Sequence, residues 1–396
     1  MRRALVVLHR WAGLSIAGFL IVAGLTGSLI AFQTELDSWL NPDLFHVEGA
    51  GVPLAAADLA ARVEAADARI RVRSVPIRVG DGYAASLFIT PRVDAATGNP
   101  HAVEYDQVFA DPVTGEVLGV RKWGALHLDR RHLMPLIYRL HNSLLIPGPW
   151  GRWIMGGVSL IWLFDCFFGF ALTLPRGSLR LARWWLAWRV RPSGTAYRLN
   201  VDLHRAGGLW LWGLLFMLAL SGIQLNLDRE VFRPVVELFS PVARTPFETR
   251  GSQPAGETAA LSFSAAVRRG AEIAAGQGLV PPSRLSHYAR YGLYLIEFGA
   301  PQHQAAAGLG PAYAVIDNRD GRLLGLRIPG RGTAGEMFTQ IQFPLHSGHI
   351  IGLPGRIVIS VMGIAVVILS ITGVIIWGKK RGARQLRAAR TTVAAE

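Results

Sequence analysis

The sequence predicts a membrane protein: an all-α four-helix transmembrane bundle carrying two small α+β domains, in a chain with an internal two-fold repeat. Three observations predict it. At 51% apolar residues and a mean hydropathy of +0.30, the 396-residue chain is too apolar for an ordinary soluble protein. Four segments, 11–32, 153–174, 209–227 and 357–377, meet the roughly 20-residue apolar length that a hydrocarbon core of about 30 Å requires. The basic residues are concentrated beside those segments, on one side of them.

In order along the chain, residues 1–34 read as a first membrane helix. The apolar run after Arg2 and Arg3 is too long for a cleaved signal peptide and lacks a small-residue cleavage site. Residues 35–135 and 229–340 read as the two α+β domains, each with one helix, at 54–68 and 263–276. Alternating apolar stretches at 83–89 and 291–296 read as strands, followed by strand, Asp-x-x-x-Gly turn, strand. Residues 136–175 and 341–378 are the second and fourth membrane helices with their lead-ins, and 204–228 is the third. Residues 251–257 read as a flexible loop. The 176–203 loop includes a stretch at 180–191 in which Trp184, Trp185 and Trp188 alternate with arginines, as in a helix lying at the membrane interface.

Charge sets the orientation. The N-terminus, the 175–205 loop and the 379–396 tail hold 16 basic residues against Asp202 and Glu396, while the rest of the chain balances 25 basic with 25 acidic residues. The whole +14 formal charge therefore lies on three segments that the positive-inside rule assigns to the cytoplasm. This distribution indicates a membrane-lipid environment rather than a nucleic-acid partner. Both termini are expected in the cytoplasm, and both α+β domains outside the membrane on the opposite side.

The repeat is visible directly. Leu8-His9-Arg10-Trp11-Ala12-Gly13-Leu14 recurs 195 residues later as Leu203-His204-Arg205-Ala206-Gly207-Gly208-Leu209, and Gly27 meets Gly222 at the same offset. Leu140-His141 with Pro149, Gly151 and Arg152 matches Leu345-His346 with Pro354, Gly355 and Arg356, and Gly169 meets Gly373. Asp111 to Gly115 and Asp317 to Gly321 are corresponding turns.

Four of the 11 histidines, His9, His141, His204 and His346, stand at repeat-equivalent helix ends. Threading puts His9 with His204 at the cytoplasmic end and His141 with His346 at the outer end. Two histidines at one depth on facing helices can bind both faces of a haem, a kind of site that bundle cores commonly house. Gly13 and Gly208 lie on the same helical face as His9 and His204 and leave room for a flat macrocycle. Arg10 and Arg205 at the inner end, and Arg152 and Arg356 at the outer end, are placed to pair with propionates. Hydrogen-bonded structural histidines and other metal sites are the competing readings, and His349 competes with His346. His101, His127, His132, His287 and His303 read as surface residues. Asp165, in mid-membrane, suggests a proton relay, a quinol contact or a hydrogen bond across the bundle, for example to Gln224. The lone Cys166 excludes an intrachain disulfide, a thiolate cluster and covalent Cys-x-x-Cys-His haem attachment. No Walker or Gly-x-Gly-x-x-Gly loop points to a nucleotide or flavin domain.

The Leu-His-Arg-Trp-Ala-Gly-Leu opening, the Leu-His-Asn-Ser and Leu-His-Ser-Gly motifs before Pro-Gly-Arg, and the two turn-bearing outer domains resemble the PepSY-associated transmembrane helix family, over residues 3–382. The resemblance implies an iron-regulated di-haem b reductase of ferric siderophores in a bacterial inner membrane, acting on the periplasmic side, where both outer domains would lie. Its histidine ligands carry over onto His9 and His204 for the cytoplasmic-side haem and onto His141 and His346 for the periplasmic-side haem. The electron donor, cytoplasmic or quinol, is left open because no flavodoxin-reductase domain is attached. Residues 288–294 are aromatic candidates for substrate contact. Two other functions stay open: a haem b electron-transfer subunit for a soluble partner, and a non-enzymatic periplasmic binding or regulatory module on four anchoring helices.

Overall fold

The computed structural model describes residues 2–49, 51–175, 181–192, 194–251, 260–304 and 306–393. Most of the proposed 251–257 loop, Arg176 and Arg180 lie outside them. Helix Arg2–Ile30 (α1) leads into Gln33–Leu40 (α2) and the single turn Pro42–Phe45 (α3). The first α+β unit follows with Ala56–Ala66 (α4) and strands Ile70–Pro76 (β1), Ala85–Pro91 (β2), Gln107–Ala110 (β3) and Val117–Arg121 (β4). Arg130–Ser143 (α5) and Trp150–Thr173 (α6) return through the membrane part. The second half repeats this order with Ala196–Trp210 (α7), Trp212–Leu227 (α8), Arg233–Glu237 (α9), Pro246–Thr249 (α10) and Phe263–Gln277 (α11). It continues with strands Pro282–Tyr288 (β5), Leu293–Phe298 (β6), Ala312–Asp317 (β7) and Leu323–Arg327 (β8), then Ala334–Ser347 (α12) and Leu353–Val393 (α13).

Among the described residues three helices, α1, α6 and α13, are each long and apolar enough to span a membrane. The third expected span is not one straight helix: α7 and α8 meet at 68° around Leu211, and only together do they satisfy the length. Glycines at 207, 208 and 213 flank the bend, the usual setting for a sharp kink. Helix α1 packs on α13 and α6, α6 on α8, and α7 on α13. The α1–α13 crossing is close: a Cβ at Gly24 would lie 2.5 Å from the Gly363 carbonyl oxygen. The aromatic stretch 181–188 is a 3₁₀ helix tied to its neighbours by Trp184, whose indole donates to Thr173 Oγ1 at 3.2 Å, and by Trp210, which donates to the Trp188 carbonyl at 3.1 Å.

The two α+β units do not form separate sheets. Strands β1 and β5 pair antiparallel, Val75 opposite Leu285, and join both units in one eight-stranded sheet of order β4-β3-β2-β1-β5-β6-β7-β8. Each unit alone is a four-stranded meander with an exposed edge at its first strand; joining those edges satisfies their backbone groups. Helices α4 and α11 cover one face, burying Val63, Leu87, Leu285, Tyr294 and Ile296 among others. The β3–β4 and β7–β8 turns form as the sequence suggests. Asp111 Oδ1 accepts from Val113 and Thr114 N–H, Asp317 Oδ1 from Arg319 N–H, and Gly115 and Gly321 adopt φ of +75° and +73°, a left-handed conformation suited to glycine.

Candidate functional site

The four repeat-equivalent histidines meet as two pairs. His9 and His204 lie near the end of the membrane part that carries the N-terminus, with ring centres 6.1 Å apart. His141 and His346 lie near the sheet, with ring centres 6.2 Å apart. His141 and His346 are carried not by the spanning helices but by the separate lead-in helices α5 and α12, which dock on α1 and α8. His346 is therefore the partner of His141; His349 stands on the following turn and holds Ser347 Oγ at 3.0 Å.

Every one of the four rings is oriented through Nδ1. His9 Nδ1 donates to Asp165 Oδ1 at 2.8 Å. His204 Nδ1 donates to the Leu369 carbonyl, with Thr372 Oγ1 also at 3.0 Å. At the sheet end, the hydroxyl of Thr26 is committed to the Val22 carbonyl and that of Ser221 to the Met217 carbonyl. Each hydroxyl has one proton, so its oxygen must accept from the nearby imidazole: His141 Nδ1 at 3.0 Å and His346 Nδ1 at 2.8 Å. With Nδ1 carrying the proton in all four, Nε2 keeps its lone pair, and no Nε2 has a hydrogen-bond partner among the described residues. This is the tautomer and outer-shell arrangement of a metal-binding imidazole.

The pair spacing is informative. An imidazole nitrogen bonds a first-row metal at about 2.0 Å, and the ring centre lies about 1.1 Å behind it, so two imidazoles that approach one metal from opposite sides would stand about 6.2 Å apart. Both pairs fit that separation. Among the described residues no cluster of three or more His, Cys, Asp or Glu side chains is placed to hold a metal. A bare ion normally needs four or more donors. Two imidazoles suffice only for a metal that brings its other ligands with it.

Glycines press against the rings. A Cβ at Gly27 would lie 3.0 Å from His141 Cε1, one at Gly169 3.4 Å from His9 Cε1, and one at Gly373 3.1 Å from His204 Cε1. Gly208 faces open space, and Gly13 has only Asp165 Oδ2 nearby, at 3.8 Å. The outer-shell groups also recur at the repeat offsets: Thr26 with Ser221, and Asp165 with Leu369. Sequence reasoning missed Thr26, Ser221 and Thr372 as histidine partners. Their signal was the repeat itself, since a hydroxyl recurs one position before Gly27 and before Gly222. Asp165 makes its bond to His9, not to Gln224, whose Oε1 is buried without a partner among the described residues.

The arginines divide. Arg356 is buried, donating to the Ala31 carbonyl at 2.7 Å and to Glu35 at 2.6 Å. Arg205 bonds Asp202 at 2.8 Å and the Ala187 and Arg189 carbonyls. Among the described residues Arg152 is bound only to the Leu225 carbonyl, at 3.2 Å. Arg10 lies over the Trp11 ring and keeps a buried Nε with no partner among the described residues. Among the described residues, Arg10 and Arg152 are thus the two of the four without a carboxylate of their own.

Two histidines expected at the surface are not there. His287 is buried under α11, 4.6 Å from the Tyr294 ring and 3.2 Å from Asn318 Nδ2. His303 is wedged between Tyr83 and Phe45. Burial pushes the pKa of each down to about 4. Of the aromatic stretch 288–294, Tyr288 and Tyr291 pack on Phe247, and Tyr294 belongs to the core.

Fold and site together define a multi-pass membrane protein with an antiparallel sheet domain and two paired-histidine sites at opposite ends of its helices. The chain belongs to the family of the PepSY-associated TM region, whose model matches residues 6–380. No curated protein matches it.

Proposed function

We propose that the protein is an inner-membrane oxidoreductase that carries electrons from the cytoplasmic side to the periplasmic face and there reduces ferric siderophores, releasing ferrous iron. The observation that carries this reading is the two histidine pairs at 6.1 and 6.2 Å, with every Nδ1 donating. The donor set fits haem b: His9 and His204 would hold one group, His141 and His346 the other. Such a group would supply one-electron redox chemistry at each pair.

The chain's own residues do the rest. Asp165, Leu369, Thr372, Thr26 and Ser221 fix the imidazoles so that no ligand reorients when the charge at a site changes. The apolar helices exclude water between the sites. Ferric iron is a hard ion suited to oxygen chelators, and the ferrous ion is held less tightly by the same donors, so one electron per iron is enough for release. The basic segments 2–10 and 183–205 lie at the end that receives electrons.

The test is a single-turnover experiment. The haem-loaded protein, reduced with a measured amount of dithionite, is mixed anaerobically with a ferric trihydroxamate and a ferrous-specific chromophore. One ferrous ion should appear per electron lost from the protein spectrum. A reduced spectrum that persists unchanged would sink the reading.

A further inference from the structure

The helix-covered face of the sheet is not closed along its midline. Between α4 and α11 lies a cavity of about 250 Å³, to which both halves of the chain contribute. Ala57, Ala60 and Glu64 come from α4 and Arg71 from β1, while Phe263 stands at the start of α11 and His287 on β5. None of the residues assigned to the two histidine pairs takes part in it.

Two donors on its wall have nothing to bond. Asn318 Nδ2 donates to His287 Nε2 at 3.2 Å, so the single proton of the neutral ring sits on Nδ1. That nitrogen has no partner among the described residues, although His287 is only 5% exposed. The Arg71 side chain likewise makes no hydrogen bond, ion pair or ring contact among the described residues, whereas Arg69 and Arg92 beside it pair with Asp67 and Glu64. Neither group is sealed off, since the side-chain atoms that are both enclosed and unpartnered lie elsewhere. Burial first, and then the Arg71 charge, lowers the His287 pKa to about 4, so at neutral pH an uncharged N–H donor stands near a cation. Among the described residues the one carboxylate on the lining, Glu64, is already engaged, accepting from Val72 N–H at 2.7 Å and pairing with Arg92. Helix α11 starts at the rim, where Ser262 caps Ala265 N–H at 3.2 Å, and the positive end of its dipole borders the same space.

We propose that this cavity binds a small organic carboxylate, its oxygens held by Arg71 and His287 Nδ1 and its hydrocarbon part resting on Ala57, Ala60, Leu261 and Phe263. A guanidinium and an N–H donor that lack acceptors on the protein call for acceptor oxygens on the guest. The apolar part of the wall selects a carboxylate over phosphate or sulfate, whose outer oxygens would be left against it without donors. The volume lies just below the roughly 300–1,000 Å³ of drug-sized ligand pockets, which suits a short acid or the last residue of a peptide. Because α4 and β1 belong to one repeat and α11 and β5 to the other, a bound carboxylate bridges the β1–β5 seam and stabilises the joined sheet.

The test is fluorine NMR of 4-fluorobenzoate with the full chain in detergent, read against empty micelles, with 4-fluorobenzamide as the uncharged control. The wild type should broaden and shift the benzoate signal and leave the benzamide signal as it is in micelles. Arg71→Gln removes the cation, and Ala61→Trp fills the cavity from an exposed position on its rim. Each should weaken benzoate binding at least tenfold with an unchanged gel-filtration profile. Benzoate should also raise the thermal midpoint of the wild type and not that of Arg71→Gln. Competition by N-acetylleucine but not by its amide would assign the site to peptide ends, and competition by neither would assign it to free acids. No binding by the wild type, competition by the amide, or wild-type affinity in both variants would overturn the proposal.

Discussion

His9 donates its Nδ1 proton to the carboxylate of Asp165 at 2.8 Å, whereas His204, facing it, donates to a carbonyl and a hydroxyl at 3.0 Å each. The same asymmetry separates the two ends, since among the described residues neither His141, held by Thr26, nor His346, held by Ser221, is backed by a carboxylate. A carboxylate on the outer nitrogen makes the imidazole a stronger electron donor to a bound metal. The pair at the basic end should hold the lower-potential site, which favours electron flow towards the sheet. Asp165→Asn keeps a hydrogen-bond acceptor and removes the charge. It should raise the lower of the two midpoint potentials by on the order of 60 mV, about tenfold in equilibrium constant for a one-electron couple, and leave the higher one unmoved, read by spectroelectrochemical titration.

Gly27 touches His141, and a side chain there competes with the ring for space. Gly27→Val should displace His141 and remove the sheet-side site while the His9–His204 site persists. The check is the haem-to-protein ratio, falling by half with an unchanged gel-filtration profile. An equal loss at both sites would mean general misfolding.

The Arg121–Asp37 pair, almost wholly buried, locks α2 to β4 and α5, with Arg121 also reaching Gln107 Oε1 and the Arg131 carbonyl. Arg121→Ala strands a buried carboxylate. A destabilisation of about 3–5 kcal/mol is expected for breaking such a pair from one side, seen as a lower thermal midpoint in detergent; Arg121→Ala combined with Asp37→Asn should recover part of it.

The sheet domain should weaken in acid. His287 and His303 have folded pKa values near 4 against an ordinary 6.5, because burial disfavours their charged forms. Between those values the unfolded chain binds more protons than the folded one, so stability is full above about 6.5 and declines as pH falls towards 4. Thermal midpoints measured from pH 7 to 4 should fall, and the fall should be shallower in His303→Gly.

Much of this was legible in the sequence because the repeat is. Matching His9 to His204 and His141 to His346 requires only an offset, and threading then fixes which pair shares an end. The membrane helices follow from apolar length, and the two turns from Asp111, Gly115, Asp317 and Gly321. The joining of the two sheets was not legible: β1 and β5 read the same whether they end an isolated meander or meet each other. The bend at Leu211 was hidden because apolar composition continues through it. Asp165 was visible as an anomaly, but its partner depends on the rotation of α6 about its axis, which composition does not encode. His303 looked like a surface residue because its chain neighbours are polar, and its burial comes from Tyr83 and Phe45 in the other half.

The most direct measurement is the number of haem b groups per purified chain, by pyridine haemochromogen assay alongside oxidised and dithionite-reduced spectra. Two low-spin groups are predicted, one lost in His9→Ala or His204→Ala and the other in His141→Ala or His346→Ala. A chain produced with ample haem supply that purifies folded and without haem would contradict the account.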